Sequence, residues 1–156
     1  ASEGASPAEV LRRTHRTLVS ELETTEMYMT LFYGVIDPKQ GRLTFTNAGH
    51  AHAFQLVGGD EPRRLEATNP PLGIIDLDTY GEGSVPWAEG RDLLLLFTDG
   101  LSDALELGEA RGPQRVVQEA VAHQSASVSE ILERLYALAP DAEDAADDRT
   151  AVLVRI

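Results

Sequence analysis

Asp92-Leu93-Leu94-Leu95-Leu96-Phe97-Thr98-Asp99-Gly100-Leu101-Ser102-Asp103-Ala104 is the stretch on which the reading of this chain turns. The run from Asp92 to Phe97, with four leucines at its centre, has the length of a buried strand. It falls far short of the roughly 18 apolar residues that a membrane-spanning helix needs. Thr98 to Ala104 then place two carboxylates, Asp99 and Asp103, just past the strand's end, where functional groups concentrate. A second acidic group precedes another strand: Asp141 to Asp148 leads into Arg149 to Ile156. If the two strands are antiparallel neighbours, Asp99 at the exit of one and Asp147 at the entry to the other converge on the same sheet edge. Clustered hard oxygen ligands suit Mg²⁺ or Mn²⁺, ions that can make water a nucleophile near neutral pH. An Asp-Gly after a strand is also a common turn, and an acidic stretch a common solvated loop. Pattern alone leaves both readings open.

Ser6-Pro7-Ala8-Glu9 supplies an N-cap, a proline at the first helical position and a capping-box glutamate. The helix that follows carries Val10, Leu11, Leu18, Val19 and Leu22 at the helical period, with Arg12, Arg13 and Arg16 left to solvent. Met27 to Ile36 reads as a strand covered on both faces, and Asp37 to Gly41 as a turn into a second arm, Arg42 to Thr46. After Asn47-Ala48-Gly49-His50 comes a third strand, Ala53 to Val57. Three antiparallel strands in a meander are the simplest arrangement. From Asn69 to Gly90 the pattern is loop with one short strand, and Trp87 reads as a core or loop anchor. Pro113 opens a helix through Val116, Val117, Ala120 and Val121. Ser127 and Glu130 form a capping box for another, carrying Ile131, Leu132, Leu135 and Leu138.

The 156 residues, 42% hydrophobic and 25% charged, suit one globular domain or most of one, residues 1–156 together. A net charge of −13 and a pI near 4.6 argue against a nucleic-acid partner, whose phosphates call for clustered Lys and Arg. The absence of cysteine excludes disulfides, thiolate zinc sites and thiol nucleophiles, and makes the cytoplasm the default compartment. No export signal or membrane span is expected.

His50 and His52 alternate at a strand start and so could share a face, but zinc would need at least a third ligand. Ser102, Asp103 and His50 contain the residue types of a catalytic triad without the glycine-flanked nucleophile elbow. His15 and His123 fall on predicted helix surfaces and read as solvated.

Five blocks, taken in order, carry a resemblance. Met29 to Asp37 (Met-Thr-Leu-Phe-Tyr-Gly-Val-Ile-Asp), Asn47-Ala48-Gly49-His50, Pro71-Leu72-Gly73, Phe97 to Ala104 and Asp147-Asp148-Arg149-Thr150 resemble successive motifs of the metal-dependent protein serine/threonine phosphatases. The branch is that of stage II sporulation protein E and RsbU. The resemblance implies an α+β fold, an antiparallel β-sandwich flanked by helices, with a binuclear Mn²⁺ or Mg²⁺ centre at one end. It implies a metal-activated water attacking a phosphoserine or phosphothreonine on a regulatory protein such as an anti-sigma-factor antagonist. By similarity Asp99 and Asp147 are metal ligands and Asp103 serves a further metal or coordinated water. Asp148 takes a supporting role, and Asn47 and His50 lie near the site's rim. Gly100 and Gly49 act as backbone residues at close turns.

One departure bears on activity. Members of that family begin the domain with a Gly-Asp-Val-x-Gly-x-Gly-like motif whose aspartate bridges both metals, and nothing here resembles it. The chain is therefore expected to be the C-terminal portion of such a domain, inactive alone. Exposed sheet edges and apolar faces would favour a homo-oligomer. The rival expectation is a phosphatase-like module that has lost catalysis and regulates by binding.

Overall fold

The computed structural model describes residues 4–75, 77–138 and 148–156. In chain order the elements are α1 (Pro7–Thr25), β1 (Leu31–Asp37), β2 (Arg42–Ala48), β3 (His52–Leu56), β4 (Arg63–Arg64), β5 (Gly83–Pro86), β6 (Leu93–Phe97), α2 (Asp99–Asp103), α3 (Arg111–Ala122), α4 (Val128–Ala137) and β7 (Ala151–Arg155). The strands form two sheets, ordered β1-β2-β5 and β4-β3-β6-β7, with every pairing antiparallel. The chain divides into two compact units, Ala1–His50 with Leu65–Ala88, and Ala51–Arg64 with Glu89–Ile156. Each holds one sheet, so the expected α+β class with antiparallel sheets is what the described residues form.

In the first unit, α1 begins where expected. Ser6 Oγ accepts from the Glu9 amide. The Glu9 carboxylate does not complete the capping box. It takes hydrogen bonds from Arg12 and Arg13 instead, and these two guanidiniums, Arg12 first, draw its pKa well below the usual carboxylate range, to about 2. His15, expected on the wet face, is buried, and its Nδ1 is hydrogen-bonded to the Tyr80 hydroxyl. It follows Leu11 by four residues and so shares the inward stripe.

The β1–β2 hairpin forms as expected, its turn closed by Asp37 Oδ1 accepting from the Lys39 and Gln40 amides. Its first arm is shorter than Met27 to Ile36 and lies at a sheet edge. Tyr33, Gly34 and Val35 are exposed, and so are Met27 and Tyr28. An apolar run signals strand preference without saying what covers it.

The meander is corrected too: β2 pairs with β5, and β3 belongs to the other sheet. Gly83 lies opposite Phe45 in that pairing, and a Cβ at Gly83 would come within 2.4 Å of the Phe45 ring. The aromatic ring fills the room that a side chain would need. Trp87 is buried, and its amide donates to Gly41 O at 2.8 Å, which makes it the anchor expected.

The link out of β2 is fixed by Asn47, wholly buried. Its Oδ1 accepts from the His50 amide at 2.8 Å, and its Nδ2 donates to the carbonyls of His50 and Leu65 at 3.0 and 2.9 Å. Gly49 within this loop has φ +73°. A Cβ there would stand 2.5 Å from Pro71 Cγ.

In the second unit, β6 lies between β3 and β7. Leu56, Leu93, Leu95, Phe97 and Leu153 from the sheet join Val116, Val117 and Ala120 of α3 and Ile131 and Leu135 of α4 in one buried cluster. The capping box at Ser127 and Glu130 is present in both directions, and α3 starts at Arg111, two residues before Pro113. His123 caps the end of α3 and pairs with Glu119.

Replacing Gly49 by alanine should lower stability by about 2–4 kcal/mol, from the left-handed backbone and the collision with Pro71. Denaturant unfolding reads this directly. A midpoint equal to wild type would show that the Asn47 loop tolerates a side chain.

Candidate metal centre

Position 99 is set by strand register. His52, Phe97 and Ala151 stand abreast on β3, β6 and β7, and side chains on paired strands share a face. Asp99 follows Phe97 by two residues and opens the short helix α2. Its side chain is 66% exposed, and Oδ1 lies 2.6 Å from His52 Nε2. The His52 side chain is only 12% exposed. Its ring stacks on Phe97 with centroids 4.5 Å apart and planes 7° from parallel.

β6 and β7 are the antiparallel neighbours that the sequence reading required. Beyond their last pair, Thr98 ties the two strands together. Its amide donates to Thr150 O at 3.0 Å, its Oγ1 accepts from the Thr150 amide at 3.0 Å, and Oγ1 donates to Asp148 O at 3.1 Å. Positions 99 and 148 therefore lie at the same end of the sheet. Asp147 lies outside the described residues. Asp103 is exposed, one turn beyond Asp99 in α2, while Gly100 is buried in the same helix. Ser102 is buried and donates its hydroxyl to Asp99 O at 2.9 Å, which bolts the helix start to its own backbone. Gly112 permits this packing: a Cβ there would be 2.6 Å from Ser102 O.

Asn47 and His50 belong to the first unit, and Asn47 acts there as the loop clamp described above. His50 and His52 do not share a strand face. His52 alone begins β3. His52, considered in the sequence only beside His50 as a zinc ligand, instead meets Asp99, a contact that the sequence did not reveal. Only the register of β3 against β6 reveals it, because its partner is 47 positions away. Beside His52 a groove of about 800 Å³ is lined by Phe54, Pro62, Arg64, Glu109, Pro113 and Val117 among others.

The donor set at this strand end is made of aspartate oxygens, the hard kind that suits Mg²⁺ or Mn²⁺ rather than a thiolate metal. Asp99 and Asp103, the exposed carboxylates described here, fit such an ion in donor type. Among the described residues no group of three or more His, Asp or Glu side chains gathers into a metal-binding cluster.

Antiparallel sheets with helices packed on them, and a carboxylate just past a strand end, make this an α+β domain. The solved SiaA-PP2C domain of Pseudomonas aeruginosa superposes with a TM-score of 0.79 at 25% identity, covering 97% of this chain and 61% of that one. The catalytic domain of the serine/threonine phosphatase PstP, solved with two manganese ions, shares the fold at 18% identity and a TM-score of 0.68, covering 98% and 72%. The chain belongs to the stage II sporulation protein E (SpoIIE) family, whose model matches residues 1–156. Among its relatives, Protein IcfG of Synechocystis is 35% identical over 79% of this chain. Phosphoserine phosphatase RsbP of Bacillus subtilis is 34% identical over 65%. The matched regions are 19% and 26% of those two proteins' lengths.

Thr98→Val keeps the shape of the side chain and removes both of its hydroxyl hydrogen bonds. Stability should fall by about 1 kcal/mol, and amide exchange at Thr150 should accelerate. Unchanged protection at Thr150 would show that Thr98 does not hold β7 in place.

Proposed function

We propose that this chain is the C-terminal portion of a protein phosphatase catalytic domain, one that removes phosphate from phosphoserine or phosphothreonine on a regulatory protein such as an anti-sigma-factor antagonist. The cytoplasm is the proposed setting. The observation that carries the proposal is the locked end of β6 and β7, where the Thr98 hydroxyl binds the Asp148 carbonyl and Asp99 leaves the strand beside it. Family membership and the RsbP relationship support the same reading.

Asp99 and Asp147 are the proposed metal ligands, Asp103 a weaker one, with Asp148 in support. A divalent cation bound there supplies Lewis acidity toward a phosphoryl oxygen and acidifies water. The chain's own contribution is placement. The Thr98 bonds hold β7 against β6, the Ser102 hydroxyl secures the Asp99 backbone, and the groove beside His52 has room for side chains flanking the phosphorylated residue. Two aspartates hold a cation less firmly than a full shell does, so the chain by itself is proposed to be inactive.

The test is Mn²⁺-dependent release of phosphate from a phosphoserine peptide, by this chain and by the full-length protein that carries it. Activity in the full-length protein alone fits the proposal, whereas none in either points to a regulatory module without catalysis. In the active form, Asp99→Asn or Asp147→Asn should cost about 100-fold or more in kcat/KM, the several kcal/mol that a lost metal would remove. Asp103→Asn should cost less. Near-wild-type turnover in either of the first two would overturn the ligand assignment.

A further inference from the structure

We infer that His52 is a positioning residue: through Nε2 it holds one oxygen of the Asp99 carboxylate and so prepares the other for a divalent cation. The inference rests on Asp99 being a metal ligand. Asp99 itself is 66% exposed, and an exposed aspartate ordinarily samples several rotamers, whose loss a bound cation would have to offset. His52 removes that freedom beforehand. Its Nε2 stands 2.6 Å from Asp99 Oδ1 while its own side chain is 12% exposed. The ring cannot follow a wandering carboxylate, because it is stacked on Phe97, which is 1% exposed and part of the buried cluster. Phe97 in turn stacks against Phe54, with centroids 6.0 Å apart. Rigidity thus passes from the core through one ring to a solvent-facing oxygen.

The residue type suits the task. An imidazole N–H is fixed in the plane of its ring, so a ring that cannot turn donates in one direction. Lysine or arginine at the same place would add a positive charge beside the cation and repel it. Partners that orient a ligand from behind commonly change metal affinity by about 10- to 100-fold when removed.

The test uses Mn²⁺ and the full-length protein, with free Mn²⁺ followed by its electron paramagnetic resonance signal. His52→Phe keeps a planar ring over Phe97 and loses the donor, whereas His52→Gln restores a donor without the ring. Mn²⁺ affinity should fall about 10-fold or more in His52→Phe and recover part of that in His52→Gln, which regains a donor but not the stacked ring, with the metal-free unfolding midpoints of both close to wild type. Wild-type or tighter Mn²⁺ binding by His52→Phe overturns the inference, as does a drop in the unfolding midpoint without a drop in affinity. Asp99→Asn separates the two assignments. If it loses Mn²⁺ while His52→Phe does not, only the positioning role fails. If Asp99→Asn binds like wild type, or the wild-type protein binds none, the ligand reading falls and the inference falls with it.

Discussion

β6 is hydrogen-bonded on both sides, to β3 and to β7, and most of its length is buried. A strand held in this way cannot slip by one residue, because a slip would turn its core side chains outward and its outward ones in. Leu93, Leu95 and Phe97 belong to the cluster that packs against α3 and α4. The position of Asp99 is thus a consequence of burying leucines. What the carboxylate meets at the strand's end follows from the two neighbouring registers, His52 level with Phe97 on one side and Ala151 on the other.

The same end of the sheet shows how an exposed group is given a fixed place. From Phe97 through His52 to Asp99, exposure rises stepwise while the supports stay rigid. Thr98 performs a complementary job on the backbone by joining β6 to the chain entering β7. In the first unit, Asn47 works as a buried clamp. Its amide group satisfies backbone groups of the loop that follows β2, groups that would be costly to bury unpaired. Asparagine was singled out there by resemblance alone, and its hydrogen bonds give it a plain structural task.

Several elements were legible in the sequence because their signals are local. The four leucines give a buried strand, Ser6 with Pro7 starts a helix, Ser127 and Glu130 cap another, and the last segment is a strand beside β6. The resemblance blocks led to the family that the comparisons show. The misreadings share a cause. The burial of His15 depends on Tyr80, 65 positions away. Met27 and Tyr28 lie before a strand that begins only at Leu31, and β1 is an edge among the described strands, with β2 on one side alone. The meander failed because β2 takes β5 as its partner, and a four-residue strand with Gly83 opposite Phe45 carries almost no local pattern.

Local patterns carry the strand and helix preferences, the N-caps at Ser6 and Ser127, the acidic ends of two strands and the family, since each depends on residues near one another or on ordered motifs. The tertiary structure alone decided which strands share a sheet, which face of α1 is dry and which histidine meets Asp99. Those outcomes depend on contacts between residues far apart in the chain, and the free energy of such a contact belongs to the pair and is written in neither residue's neighbourhood.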